Sequence, residues 1–263
     1  MLLNSVILIL REVLEAAMLI SVLLALSLNL RCGVRWFWWA LPVGLAGTVL
    51  LASGLEMITD ALDGAGQEVV NAALQGLVYC FTVGIVWFSV GAASNSQSQA
   101  NILTILMACA IALAMIREGS EVLVYISGFA AAEEHRTAVY AGSAIGAGIG
   151  LSLGVLLFST LRALDTRLAR KSCLVLACLM GAGMVVQSTM LLEQVDWLPV
   201  GQSLWDSSGL ISEQSIIGEL LYAVFGYEST PSRLQAVLYA ASILIAVVAY
   251  VVARSWTEPV HVD

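Results

Sequence analysis

Arg11-Glu12-Val13-Leu14-Glu15 sits inside a run that is otherwise largely apolar from Met1 to Leu30. A helix of that composition belongs in lipid, where ionisable side chains are rare and functional. The same pattern returns once, as Arg117-Glu118-Gly119-Ser120-Glu121, inside a second apolar run. On a helix, residues three and four apart share a face, so each R-E-x-x-E copy presents two carboxylates with a guanidinium beside them. Insertion scales put one charged residue at mid-bilayer near 2.5–3.5 kcal/mol, so six of them facing lipid unpaired would cost on the order of 15 kcal/mol. The two copies are therefore expected to face the interior of a helix bundle and to meet there. Two arginines against four glutamates leave a site near −2 if every group ionises, which suits a cation.

Composition agrees with a membrane location. Apolar residues make up 60% of the 263 and charged residues 11%, about half the charged share of an ordinary soluble domain. Mean hydropathy is +0.92. The expectation is a single all-α transmembrane domain over residues 1–263, with seven spans near 2–29, 36–58, 69–93, 102–127, 138–161, 172–192 and 234–253. No ten-residue alternating strands are present, which excludes a β-barrel. An outer loop fills 193–233, and within it Ile216–Phe225 is apolar but too short to cross, which predicts an interfacial or re-entrant helix. The first apolar run has no positive segment before it and is too long for a cleavable signal.

Charge asymmetry gives an orientation. With seven spans, Arg31, Arg35, Arg162, Arg167, Arg170, Lys171 and Arg254 fall on one side and only Arg136 and Arg233 on the other. The first side is then cytoplasmic, the N-terminus outside and the C-terminus inside, in a cell (inner or plasma) membrane. The outer side is acidic, with Asp60, Asp63, Glu68, Glu133, Glu134, Glu193, Asp196, Asp206, Glu213, Glu219 and Glu228. Such a surface either concentrates cations at the outer mouth or is merely solvated; Asp206, Glu133, Glu134 and His135 are the candidate outer approach. Net charge −8 argues against nucleic acid as a partner. The five cysteines form no C-x-x-C pair and read as small packing residues. Gly142, Gly146, Gly150 and Gly154, four apart, predict a close helix–helix seam.

Depth and direction suggest how the copies meet. The first motif lies about nine to thirteen residues from the outer end of its span, and the second about six to ten from the outer end of an oppositely directed span. At 1.5 Å per residue both sit roughly 10–20 Å below the outer surface. Spans one to three and four to six then form a 3+3 inverted repeat with span seven added, a transporter design. Ile20/Ile126 and Ser21/Ser127 repeat at the same offset as the motifs. Charges that only glue helices together are the plainer alternative, but neutral polar residues do that at lower cost. Carboxylates without histidine or cysteine select hard cations, and the only histidines, His135 and His261, lie outside the spans. The Glu-x-x-His pairs of di-iron helix bundles are missing, which counts against a membrane oxidase. Physics alone reaches a hard multivalent cation or a proton, held between spans one and four.

In its two motifs, and in Phe225-Gly226-Tyr227-Glu228-Ser229-Thr230-Pro231-Ser232 before the last span, the sequence resembles the oxidase-dependent iron transporters, the iron permeases of bacteria and fungi. The resemblance implies a permease rather than an enzyme, with iron as the transported substrate and no organic cofactor. It implies that Glu12, Glu15, Glu118 and Glu121 handle the metal, with Arg11 and Arg117 supporting. It also implies ferric import after oxidation of ferrous iron outside the cell membrane by a partner, an oxidase, a peroxidase or a cupredoxin-type protein. Val13 and Ser120 depart from the family's usual glycine and leucine. Gln75-Gly76 stands where relatives often carry Glu-Gly, which makes Gln75 a further supporting residue of lower charge. The alternatives are a proton-coupled exchanger of another hard or heavy-metal cation, and a membrane metal sensor or assembly subunit.

Overall fold

The computed structural model describes residues 1–94, 96–130, 133–212 and 215–257, and among these it is helical with one isolated bridge, Ser203 to Ser232, and no strand. The helices are α1 (Leu2–Asn29), α2 (Arg35–Ala61), α3 (Gly66–Ala93), α4 (Gln97–Ala130), α5 (Glu133–Ala163), α6 (Thr166–Gln194), α7 (Ile216–Phe225) and α8 (Arg233–Thr257). Six of them, α2 to α6 and α8, are long and apolar enough to cross a membrane. The expected first span is α1. It is not among the six, although its 28 residues extend about 42 Å at the usual helical rise.

Side-chain contacts fix the helix directions. Along α5 and α1, Gly142 lies against Leu2 and Gly154 against Ala17, so the two run parallel. Along α4 and α1, Tyr125 bonds Ser5 while Arg117 bonds Glu15, so they run antiparallel. The α3–α4 pair is antiparallel (Asn71 to Glu121, Gly84 to Leu106), as is α3–α6 (Ala72 to Ser188, Thr82 to Gly181). The α2–α4 pair is parallel, with Gly44 at Met115 and Thr48 at Gly119. The α3–α8 pair is also parallel, with Tyr79 at Ser242 and Trp87 at Trp256. Helices α1, α3, α5 and α8 thus point one way and α2, α4 and α6 the other.

The two most extensive interfaces are α1–α5 and α2–α4. Exchanging α1 with α4, α2 with α5 and α3 with α6 turns each of these into the other. The same exchange turns α1–α6 into α3–α4 and returns α1–α4 and α3–α6 to themselves. The match is in pairing and not in extent: α3–α4 is larger than α1–α6, and the α4–α5 contact has no developed α1–α2 counterpart. The glycine stripe makes the α1–α5 seam. A Cβ on Gly146 would stand 2.5 Å from the carbonyl oxygen of Val6, and one on Gly154 would stand 2.7 Å from Ala17 Cβ. That closeness lets Ser21 Oγ donate across the seam to the Gly154 carbonyl at 2.7 Å. The buried apolar core runs along α1, α3, α4 and α6 through Leu23, Ile85, Met107, Ile111 and Ala177. All five cysteines are free, and Cys173 is buried in this core.

The 193–233 segment is not a plain loop. Its apolar stretch is α7, capped at its start by Ser215 Oγ accepting from the Gly218 amide at 3.0 Å. It ends at Gly226, whose φ of 65° is the left-handed conformation that glycine adopts freely. Helix α7 packs on α6 and α1. The buried Glu193 carboxylate ties down the chain after it, accepting from Ser232 Oγ at 3.2 Å and Gln235 Nε2 at 2.7 Å. Glu213 and His261 lie outside the described residues.

Candidate functional site

Where α1 and α4 cross, their charged motifs face each other. Glu12, Glu15, Arg117 and Glu118 are each at most 4% exposed. Arg117 is the hub. Its Nη1 donates to Glu15 Oε2 at 2.8 Å and to Glu118 Oε1 at 2.6 Å, and its Nη2 stands 3.3 Å from Glu121 Oε1. One guanidinium therefore ties carboxylates of both motifs together. Arg11 is placed differently: its Nε lies 3.5 Å from Glu15 Oε1 and 3.8 Å from Glu12 Oε1, and its side chain keeps 35% exposure. Its guanidinium carbon rests 4.5 Å from the centre of the Tyr222 ring, within cation–π range.

The network leaves ligand capacity over. The carboxyls of Glu12 and Glu118 meet across the two helices. One oxygen of each, Glu12 Oε2 and Glu118 Oε2, is buried and accepts no hydrogen bond, and Arg117 Nε likewise has no partner. Buried acceptors without donors carry a desolvation cost that a cation or a proton would relieve. Two cavities adjoin them. One, of about 570 Å³, is bordered by Arg11, Glu12, Glu121, Tyr222, Glu219 and Glu228 and opens toward the acidic 193–233 segment. The other, of about 510 Å³, lies between α1, α2, α4 and α5; it is bordered by Glu12, Glu118, Thr48 and Ser21 and is otherwise apolar. Glu12 borders both. Among the described residues, no three His, Cys, Asp or Glu side chains stand ready to grip a metal ion as they are. The reason is visible in the distances: Arg117 already fills the space between Glu15, Glu118 and Glu121.

The other candidates fall at varying distances from this cluster. Gln75 is buried on α3 and donates from Nε2 to Gln187 Oε1 at 2.6 Å, with its own Oε1 unpartnered. The α3 side chain that reaches the motifs is Asn71, one turn away, whose Nδ2 donates to Glu121 Oε1 at 2.8 Å. Its spacing of four from Gln75 was the available signal. Glu133 and Glu134 form the first turn of α5 and are exposed, with His135 half-buried beside them. Asp206 is exposed and accepts from the Ser208 amide at 2.9 Å; the Ser208 hydroxyl first, and this amide second, hold its carboxyl below the ordinary aspartate value. Tyr222 carried no signal in the sequence beyond its place in an apolar ten-residue stretch.

A buried cluster of acids and guanidinium groups at the crossing of two long helices, flanked by cavities inside a largely apolar bundle, marks a polytopic membrane protein with ionisable groups held in its interior. The profile of the Iron permease FTR1 family matches residues 2–258, nearly the whole chain. The chain belongs to that family of iron permeases, membrane transport proteins for which iron is the substrate. Comparison with curated proteins and with solved structures returns no match.

Proposed function

We propose that this chain imports iron through the site where its two R-E-x-x-E motifs meet, with Glu12, Glu15, Glu118 and Glu121 as the carboxylates that pass the ion. The observation that carries this is the Arg117–Glu15 bond at 2.8 Å, which joins motifs 102 residues apart into one buried cluster. An all-oxygen donor set suits a hard cation such as ferric iron. The ferric ion arises outside, where a partner oxidase, peroxidase or cupredoxin-type protein oxidises the ferrous form.

Seven crossings are the count in this reading, with α1 as the first. The strict alternation of helix directions supports it, since α1 runs parallel to α3, α5 and α8. The exchange of interfaces described above supports a 3+3 inverted repeat around the site. The clustering of Arg162, Arg167, Arg170 and Lys171 at the α5–α6 turn supports a cytoplasmic location for that end and an outer location for the N-terminus.

Radio-iron uptake by cells or proteoliposomes tests the reading. Glu15→Ala and Glu121→Ala should each abolish accumulation while the protein still reaches the membrane. Full uptake by both variants would remove the proposal. Preference for calcium or lead over ferric iron, driven by a pH gradient, would favour the exchanger instead.

A further inference from the structure

The two motifs are equivalent in sequence, so each arginine has an equivalent set of targets. Arg117 reaches across the crossing to Glu15. The corresponding reach for Arg11 is to Glu121. In the structure Arg11 instead pairs with Glu12 and Glu15 of its own helix, and Glu121 is met by Asn71 and Arg117 and keeps a side-chain exposure of 22%. Arg11 and Glu121 border the same cavity of about 570 Å³, so no wall separates them.

Besides those two carboxylates Arg11 meets the Tyr222 ring, 4.5 Å from its guanidinium carbon. The backbone that carries the ring is anchored independently of Arg11. The Tyr222 carbonyl accepts from Gln187 Nε2 at 3.1 Å. The helix that carries it ends at Gly226, where a Cβ would stand 2.5 Å from Gly183 Cα on α6, so α7 is docked backbone to backbone. Helix α7 has no counterpart when α1–α3 are exchanged with α4–α6. The difference between two like motifs thus originates in an element that stands outside the repeat.

We propose that Tyr222 is a positioning residue that keeps Arg11 off Glu121 and so leaves Glu121 as the motif carboxylate most open to a cation in the cavity it borders. The proposal rests on the iron-transport reading above. A guanidinium and a metal ion compete for one carboxylate, and the apparent affinity falls by the fraction of protein in which the carboxylate is free.

The experiment is radio-iron uptake by full-length protein in proteoliposomes, with ferric citrate as the probe. If Arg11, once released, occupies Glu121 nine-tenths of the time, Tyr222→Leu raises KM about tenfold with maximal rate little changed. Tyr222→Phe, which keeps the ring face, restores the wild-type KM. In an Arg11→Gln background, Tyr222→Leu adds nothing. Should Arg11→Gln transport too slowly, the same cycle is read as equilibrium ferric binding to the purified protein. An unchanged KM in Tyr222→Leu, a Phe variant no better than the Leu variant, or an equal penalty with and without Arg11 would overturn the proposal, the last two by showing that Tyr222 only packs α7. A wild-type protein that moves no iron removes the transport reading and this inference with it; an active wild type with an indifferent Tyr222→Leu removes this inference alone.

Discussion

Arg117 and Arg11 open two copies of the same motif, yet the first is buried and bonds three carboxylates while the second is one-third exposed and lies on Tyr222. Equivalent sequence does not impose an equivalent environment. Each motif sets which residues share a helix face, and the surroundings decide what those residues touch. Arg117 is enclosed by α1, α3 and α4, whereas Arg11 opens onto the cavity beneath α7. The placing of α7 over one arginine makes the two halves of the cluster unlike each other.

The sharpest way to break that comparison is to delete each arginine in turn. Removing one partner of a buried ion pair leaves an uncompensated charge and costs about 3–5 kcal/mol, so Arg117→Ala should unfold far more readily than wild type. Arg11→Ala removes a partly hydrated group and should cost less than about 1 kcal/mol. Unfolding in detergent, followed by circular dichroism, reads both. Equal losses would mean that the two arginines are equally embedded and that the asymmetry drawn here is wrong.

The helix seams offer a second comparison. Gly146 on α5 and Gly44 on α2 face α1 and α4 at corresponding places. A Cβ on Gly146 would meet backbone, the Val6 oxygen at 2.5 Å and the Leu10 nitrogen at 2.9 Å. One on Gly44 would meet a single root atom, Met115 Cβ at 2.9 Å, with the flexible Met115 Sδ next at 3.1 Å. Overpacking costs about 1–3 kcal/mol, so Gly146→Ala, against two backbone atoms, should fall at the upper end of that range and Gly44→Ala at the lower end. The same unfolding assay decides, and a Gly44 penalty as large as that of Gly146 would show both seams to be equally rigid.

Much of this was legible in the sequence. The cost of charge in lipid turned the motifs toward the bundle interior, and the glycine period of four predicted a close helix pair. The helix boundaries follow the apolar runs, with α5 starting earlier than the hydropathy suggests, because Glu133 and Glu134 begin a helix rather than lie in a loop. Asn71 and Tyr222 were not legible. Each touches the site through a contact 50 or more residues away in sequence, and neither is charged, so no cost argument singles it out. The count of crossings was also harder to read, because the residues that make α1 functional are those that dilute its apolar character.

The acidic outer side shows the same limit and supplies the smallest expected effect. Asp206, Glu133 and Glu134 are exposed and do not border the outer cavity, whereas Glu219 and Glu228 do. Ser208 holds the Asp206 carboxyl low, so it is ionised at and above the ordinary aspartate value and loses its charge as pH falls below it. A fixed charge in bulk water is screened within about 8–10 Å, while one lining a narrow apolar-walled cavity acts on whatever passes. Glu219→Gln should therefore raise the KM for ferric citrate uptake roughly two- to fivefold, and Asp206→Asn should leave it within experimental scatter. If Asp206→Asn proves the more damaging of the two, the ion approaches along the exposed 193–212 segment rather than beneath α7, and the outer mouth must be redrawn there.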